Sequence, residues 1–340
     1  MKFLIIPFFM FLFMASAFGI QIKHLKTDYR TTPLGFDNPT PEFSWILQST
    51  ERGTMQTAFE IMVSDYYHHV IILKEFASVL DKKEDMETYS KMADEIKSAF
   101  VKAFLKPGTG VFDNGTQAAQ LISLYYNLVP ENEKQAAVDH LLLEIYNKHK
   151  GHLSTGIFAT KFMFDFFREQ NRNDVSYSVA NQRDFPGWGN MLANGATTLY
   201  ESWQYPDTVN SQNHPMFGSI SEWYYKSLLG INAKAPGFTK IEIKPQPAGD
   251  LTWGKGHYDA VVGRIASEWK ILGTRFFMNV TVPANTTSTI YVPSLPKTVV
   301  FEGGKEAGKS SGLKFIEFHD GYAIFEAGSG DYSFESKYQK

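Results

Sequence analysis

The sequence predicts a multidomain α+β protein: a run of helical hairpins of the α/α-barrel kind, followed by an antiparallel β-sandwich and preceded by a short β-rich segment. Three observations carry this. The hydrophobic period is helical from Tyr66 to about Leu229 and becomes two from about Lys234. Short β-like runs set among Pro- and Gly-rich turns occupy the region before Tyr66. With 340 residues, 43% of them hydrophobic, the chain is long enough for two or three domains with their own cores.

The N-terminus comes first. Lys2, an apolar run from Phe3 to Met14, and then Ala15-Ser16-Ala17 read as the charged, apolar and cleavage regions of a secretory signal peptide over 1–17. The chain contains no cysteine, which excludes a lipoprotein anchor and every disulfide. An exported protein without disulfides rests on its packed core, which suits the bacterial periplasm or secretion. No later apolar run is long enough to span a membrane, so no stable membrane anchor is expected.

Residues 18–65 carry "FSWILQS" (43–49) and "AFEIMVS" (58–64), both β-like, separated by turns such as "TTPLGFDNPTPE". This is too short to complete a sandwich. At Asp65–Tyr66 a strand is expected to run into a helix with no linker.

Residues 66–233 hold the helices. In "EDMETYSKMADEIKSAFVKAFL" the residues Tyr89, Met92, Ala93, Ile96, Phe100, Ala103 and Phe104 fall on one face, with charges opposite. "YYHHVIILKEFASVL", "TQAAQLISLYYNLV", "EKQAAVDHLLLEIY" and "TGIFATKFMFDFF" repeat the pattern across short connections. No fixed sequence period recurs, which favours a barrel over a solenoid. Residues 234–340 alternate: Phe276, Met278, Val280 and Val282 of "RFFMNVTV" point inward. "TSTIYV", "LKFIEF", "YAIFEA" and "DYSFES" continue, and Asp320-Gly321 marks a hairpin.

The net charge of −3 gives no footprint for nucleic acid. His68-His69 face different directions on a helix and make a poor metal pair, so neither metal nor cofactor is expected. Chemistry points to "GATTLYESWQYPDT" (195–208), where Glu201 sits between Tyr200 and Trp203. A carboxylate among rings is what glycoside hydrolysis uses: the acid activates water or attacks the anomeric carbon, and the rings pack on the sugar. Trp188 and Trp203 offer such faces, and His214 offers a hydrogen bond to a hydroxyl. Each also has a plain structural reading: Glu201 as a surface or cap residue, the two Trp as core, His214 as the cap of a helix beginning near Phe217.

Taken together, "GHLSTGIFATKFMFDFFREQ", "FPGWGNMLANGATTLYESW", "NHPMFGSISEWYYKSLLGI" and "VPANTTSTIYVPS" resemble bacterial α-L-rhamnosidases, inverting glycoside hydrolases of family 78. The stretch 31–65 also looks like the start of that family's N-terminal β-domain. The resemblance implies an (α/α)6 barrel, of which this chain would hold an incomplete part, and a rhamnose-containing oligosaccharide or glycoside as partner. It implies Glu201 as general base, and Trp188, Trp203, His214 and Tyr200 as sugar contacts, with Tyr200 standing where the family usually has Trp. The family's acidic segment, D-x-P-x-R-D-E followed by G-W-x-G-D, has no counterpart, so the general acid is absent from this chain. An internal deletion at Asp65–Tyr66 would leave barrel faces uncovered and prone to self-association. A third carboxylate, Asp184 beside Trp188, is the residue that would have to stand in for the acid.

Overall fold

The computed structural model describes residues 20–27, 43–49, 58–204 and 211–339, with side chains from residue 64 onward. The signal-peptide segment lies outside the described residues. Two compact units divide at Tyr66. In the first, β1 (Ile20–Thr27) and β2 (Phe43–Ser49) form an antiparallel pair with a register shift between Lys23 and Lys26.

One expectation is corrected here. Residues 58–64 are not a strand: they open helix α1 (Ala58–Val79), which passes through Asp65–Tyr66 unbroken. A short apolar run is compatible with either structure, and propagation from an adjoining helix is the cheaper continuation.

Helix α2 (Lys83–Phe104) carries Glu84 and Asp85 in its first turn and Lys102 in its last, matching the helix dipole, and buries Ala93 and Phe100. A tight pair follows, β3 (Leu105–Lys106) and β4 (Val111–Phe112). The Glu133 carboxylate accepts from the Gly108 and Gly110 amides at 2.7 and 2.8 Å and so ties down its turn. Gly110 has no alternative: a Cβ would lie 2.4 Å from the Ala137 backbone nitrogen.

Thr116 caps α3 (Gln117–Tyr125) by accepting from the Ala119 amide at 3.3 Å. Next come α4 (Glu131–Leu143), α5 (Ile157–Glu169) and α6 (Asn173–Ala180), with α3 packed on both α4 and α5. Two short helices, α7 (Trp188–Ala193) and α8 (Ser219–Trp223), flank the aromatic turn.

The C-terminal region is a two-sheet sandwich. One sheet has five strands in the order Leu313–His319, Tyr322–Ala327, Thr287–Pro293, Lys240–Ile243, Ile231–Ala233. The other has six, in the order Lys305–Glu306, Phe301–Glu302, Gly330–Lys337, Arg275–Val282, Gly263–Leu272, Trp253–Ala260. The expected all-antiparallel arrangement has one exception, since Thr287–Pro293 pairs in parallel with Lys240–Ile243. Those two strands are far apart in sequence, so no hairpin turn constrains their direction.

The alternation expected in "RFFMNVTV" is present: Phe276, Met278, Val280 and Val282 are all buried between the sheets. At the hairpin between the last two strands of the smaller sheet, Asp320 and Gly321 have φ of 47° and 80°, the left-handed pair that such two-residue turns require.

The helical region and the sandwich belong to the same compact unit and share buried polar ties. Asn173 Nδ2 donates to the Gln246 carbonyl at 2.5 Å, and the Trp269 indole N–H donates to the Leu228 carbonyl at 2.7 Å. Lys244 reaches Asn171 Oδ1 at 2.6 Å and lies over the rings of Tyr291 and Tyr322; burial lowers its pKa.

Candidate active site

The aromatic turn is held by a short ladder. The Glu201 amide donates to the Ser211 carbonyl at 2.9 Å, and the His214 amide donates to the Leu199 carbonyl at 2.8 Å. The Thr198 hydroxyl adds a bond to the Gln212 carbonyl. These bonds bring Leu199–Glu201 alongside Ser211–His214, so Glu201 and His214 belong to one local structure. Glu201 Oε2 also accepts from the Ser211 amide at 3.1 Å, which fixes the carboxylate at the surface, half-buried.

Beneath the turn the rings interlock. Trp188 meets Trp203 edge-on with centroids 4.9 Å apart, and Trp203 stacks on Phe217 at 3.7 Å. The Trp203 indole donates to the Thr155 carbonyl at 2.7 Å and that of Trp188 to the Phe217 carbonyl at 3.0 Å. Trp188, Trp203 and Tyr200 are 6%, 8% and 6% exposed, so their rings serve as the packed support of the turn. His214 Nδ1 accepts from the Met216 amide at 3.4 Å, capping the 3-10 turn Pro215–Gly218 that leads into α8.

Sequence reasoning missed Phe217, which is fully buried and joins both Trp residues. Its signal was present as an apolar residue in the "NHPMFGS" stretch, but nothing local says which ring it will meet. Thr155 was also missed, because it acts through its carbonyl.

Asp184 is exposed and accepts a 2.7 Å hydrogen bond from His152 Nε2. This bond is the main reason that the Asp184 pKa falls below, and the His152 pKa rises above, their ordinary values. A general acid must hold a proton near neutral pH, and Asp184 is pushed the other way. Among the described residues, the other buried carboxylates of the helical region are also engaged: Asp165 with Arg168 and Lys226, Glu144 with Lys148, and Glu133 with the Gly108 and Gly110 amides.

Helical hairpins leading into a two-sheet sandwich, with a carboxylate on an aromatic-backed turn, define a helical-hairpin protein with a C-terminal β-sandwich. The comparisons with known proteins specify it. Residues 40–228 match the bacterial alpha-L-rhamnosidase 6 hairpin glycosidase domain, and residues 230–307 match the bacterial alpha-L-rhamnosidase C-terminal domain. The chain therefore belongs to the bacterial α-L-rhamnosidase family.

It is 30% identical over 289 residues to an α-L-rhamnosidase of Streptomyces avermitilis, covering 82% of this chain and 27% of that one. It is 30% identical over 308 residues to one of Formosa agariphila, covering 88% and 32%. Among solved structures, an α-L-rhamnosidase from Dictyoglumus thermophilum superimposes with a TM-score of 0.76 at 36% identity, covering 83% of this chain and 33% of that one. The Streptomyces avermitilis enzyme complexed with L-rhamnose gives 0.76 at 29% identity, covering 84% and 27%. The chain thus spans about a third or less of the length of these relatives.

Proposed function

We propose that the chain carries the water-activating half of an inverting α-L-rhamnoside hydrolase, with Glu201 as general base, and that on its own it turns over natural rhamnosides poorly or not at all. One observation carries this: Glu201 is the acid on the aromatic-backed turn, and its geometry is fixed from both sides by Ser211. Membership of the rhamnosidase family, and the rhamnose complex of the Streptomyces avermitilis relative, support a rhamnose-containing glycoside as the ligand.

Inversion uses a second, protonated carboxyl roughly 6.5–9.5 Å from the base. The D-x-P-x-R-D-E segment that would supply it has no counterpart in the sequence, and Asp184 is held ionised by His152. Export through the segment 1–17, with Phe18 at the mature N-terminus, is part of the same proposal. N-terminal mass analysis of the exported protein tests it, and an intact Met1 in the membrane fraction would refute it.

Restoring that acidic segment at Asp65–Tyr66 and then making Glu201→Gln tests the catalytic role. The variant keeps its shape but cannot take a proton, so turnover should fall by on the order of 10²–10⁴. Turnover equal to that of the restored parent would remove Glu201 from the role.

A further inference from the structure

The outward face of the six-stranded sheet is unlike the outside of an ordinary sandwich. Its edge strand, Trp253–Ala260, reads W-G-K-G-H-Y-D-A. The two glycines are required by what lies beneath: a Cβ on Gly254 would come within 2.9 Å of the Trp269 indole, and one on Gly256 within 2.5 Å of Leu229. Register is thereby locked, because a one-residue slip would drive Lys255 or His257 into Trp269 and Leu229. Trp253, Lys255 and His257 must then stand on the opposite face, across from Lys270, Glu268 and Ala266 of the next strand.

That face carries an open hollow of about 430 Å³, lined by Lys255, His257, Glu268, Asn279, Thr281 and Ser333 among others, within the size range of small-ligand sites. Ala266 lies between His257 and Thr281 in the pairing, and its short side chain leaves the centre low. Trp253 precedes the lining residue Lys255 by two positions on the same face and is 68% exposed.

The charges here are already matched. Lys255 pairs with Glu268 at 3.3 Å, and Asp259 takes Arg264 at 2.8 Å and His257 at 3.6 Å. Glu302 and Asp331 add further acid to the lining, so a phosphate or another anion meets repulsion. The Thr281 hydroxyl donates to Asp331 at 2.6 Å, and the Ser333 hydroxyl donates to Asn279 Oδ1 at 2.8 Å. Asn279 Nδ2 has no partner among the described residues, so its two N–H donors are open to a ligand.

A mixed comb of amide donors and carboxylate acceptors, with an exposed indole on the same strand face, suits one ligand chemistry. Neutral hydroxyls donate and accept at once, and an indole covers the C–H face of a sugar ring. We propose that this face of the C-terminal sandwich is a carbohydrate-binding site for neutral saccharides, separate from Glu201 and independent of whether Glu201 is catalytic.

Saturation-transfer NMR and calorimetric titration of the full chain test this with three probes: L-rhamnose, cellobiose and, as the charged control, D-glucuronate. At least one neutral sugar should bind. Its affinity should drop at least tenfold in Trp253→Ala and in Asn279→Ala, and should persist in Glu201→Gln. Both replaced side chains lie on the outer face, and melting curves matching the parent's confirm folding; Lys255→Ala serves as a third variant if either one unfolds. Binding of neither neutral sugar, binding untouched by these changes, binding abolished by Glu201→Gln, or a preference for glucuronate would each overturn the proposal.

Discussion

Glu201 and Ser211 hold each other twice. The Glu201 amide donates to the Ser211 carbonyl at 2.9 Å, and the Ser211 amide donates back to Glu201 Oε2 at 3.1 Å. A carboxylate anchored by the backbone of a neighbouring segment loses little freedom when it orients a water, which is the requirement for a base. Ser211→Pro removes that amide donor. In the chain with the acidic segment restored, it should lower kcat while changing the substrate KM less, as expected when positioning rather than binding is lost. Equal kcat values for the variant and its parent would show that the clasp is only structural.

Trp203 tests the support beneath. Trp203→Phe keeps a ring for Phe217 but leaves the Thr155 carbonyl without its indole donor. Leaving that buried acceptor with only the long 3.5 Å bond from the Thr160 hydroxyl should cost about 1–3 kcal/mol in urea unfolding. Parental stability would mean that the carbonyl finds another donor.

His152 and Asp184 give a pH signature. His152 is raised by its hydrogen bond to Asp184, so its contribution to stability is complete below the ordinary histidine value of about 6.5 and disappears as pH rises through the higher folded value. Asp184 is lowered by the same bond, so its part is present above the ordinary carboxylate value and is lost as pH falls through the lower folded one. The pair therefore acts across the mildly acidic range between them. An NMR titration should place His152 above 6.5, and Asp184→Asn should return it toward that value; an unshifted His152 in the parent would contradict the assignment.

The C-terminal end of helix α1 and the turn after it expose Phe76, Val79 and Leu80 at 60%, 84% and 67%. Clustered apolar side chains of this kind promote association. Light scattering of the purified chain should show mass above the monomer, and Phe76→Glu with Leu80→Lys should reduce it. A monomeric parent would refute self-association through this helix.

The fold was legible where the pattern and the burial obey the same rule. "RFFMNVTV" alternates because one side of the sheet is buried, and Asp320-Gly321 is a turn because those two residues tolerate positive φ. The stretch 58–64 was misread because the helix that claims it is specified by the residues after it. The parallel pairing of Lys240–Ile243 with Thr287–Pro293 carries no local signal at all. At the site, Glu201, Tyr200, Trp203 and Trp188 were visible as an acid among rings. Phe217 and the Thr155 carbonyl were not, since only the folded chain brings them beneath the turn.

On the proposed function, Glu201 is a base without its acid. The purified chain, assayed on a natural α-L-rhamnoside and on 4-nitrophenyl α-L-rhamnoside, tests it most directly. The natural glycoside leaves as a poor alkoxide and needs a proton, whereas nitrophenolate leaves without one. The expected result is no turnover of the natural glycoside, and at most traces with the aryl substrate, since on that proposal the barrel is incomplete and substrate orientation is lost with it. Robust hydrolysis of the natural rhamnoside would show instead that some carboxyl of this chain supplies the proton.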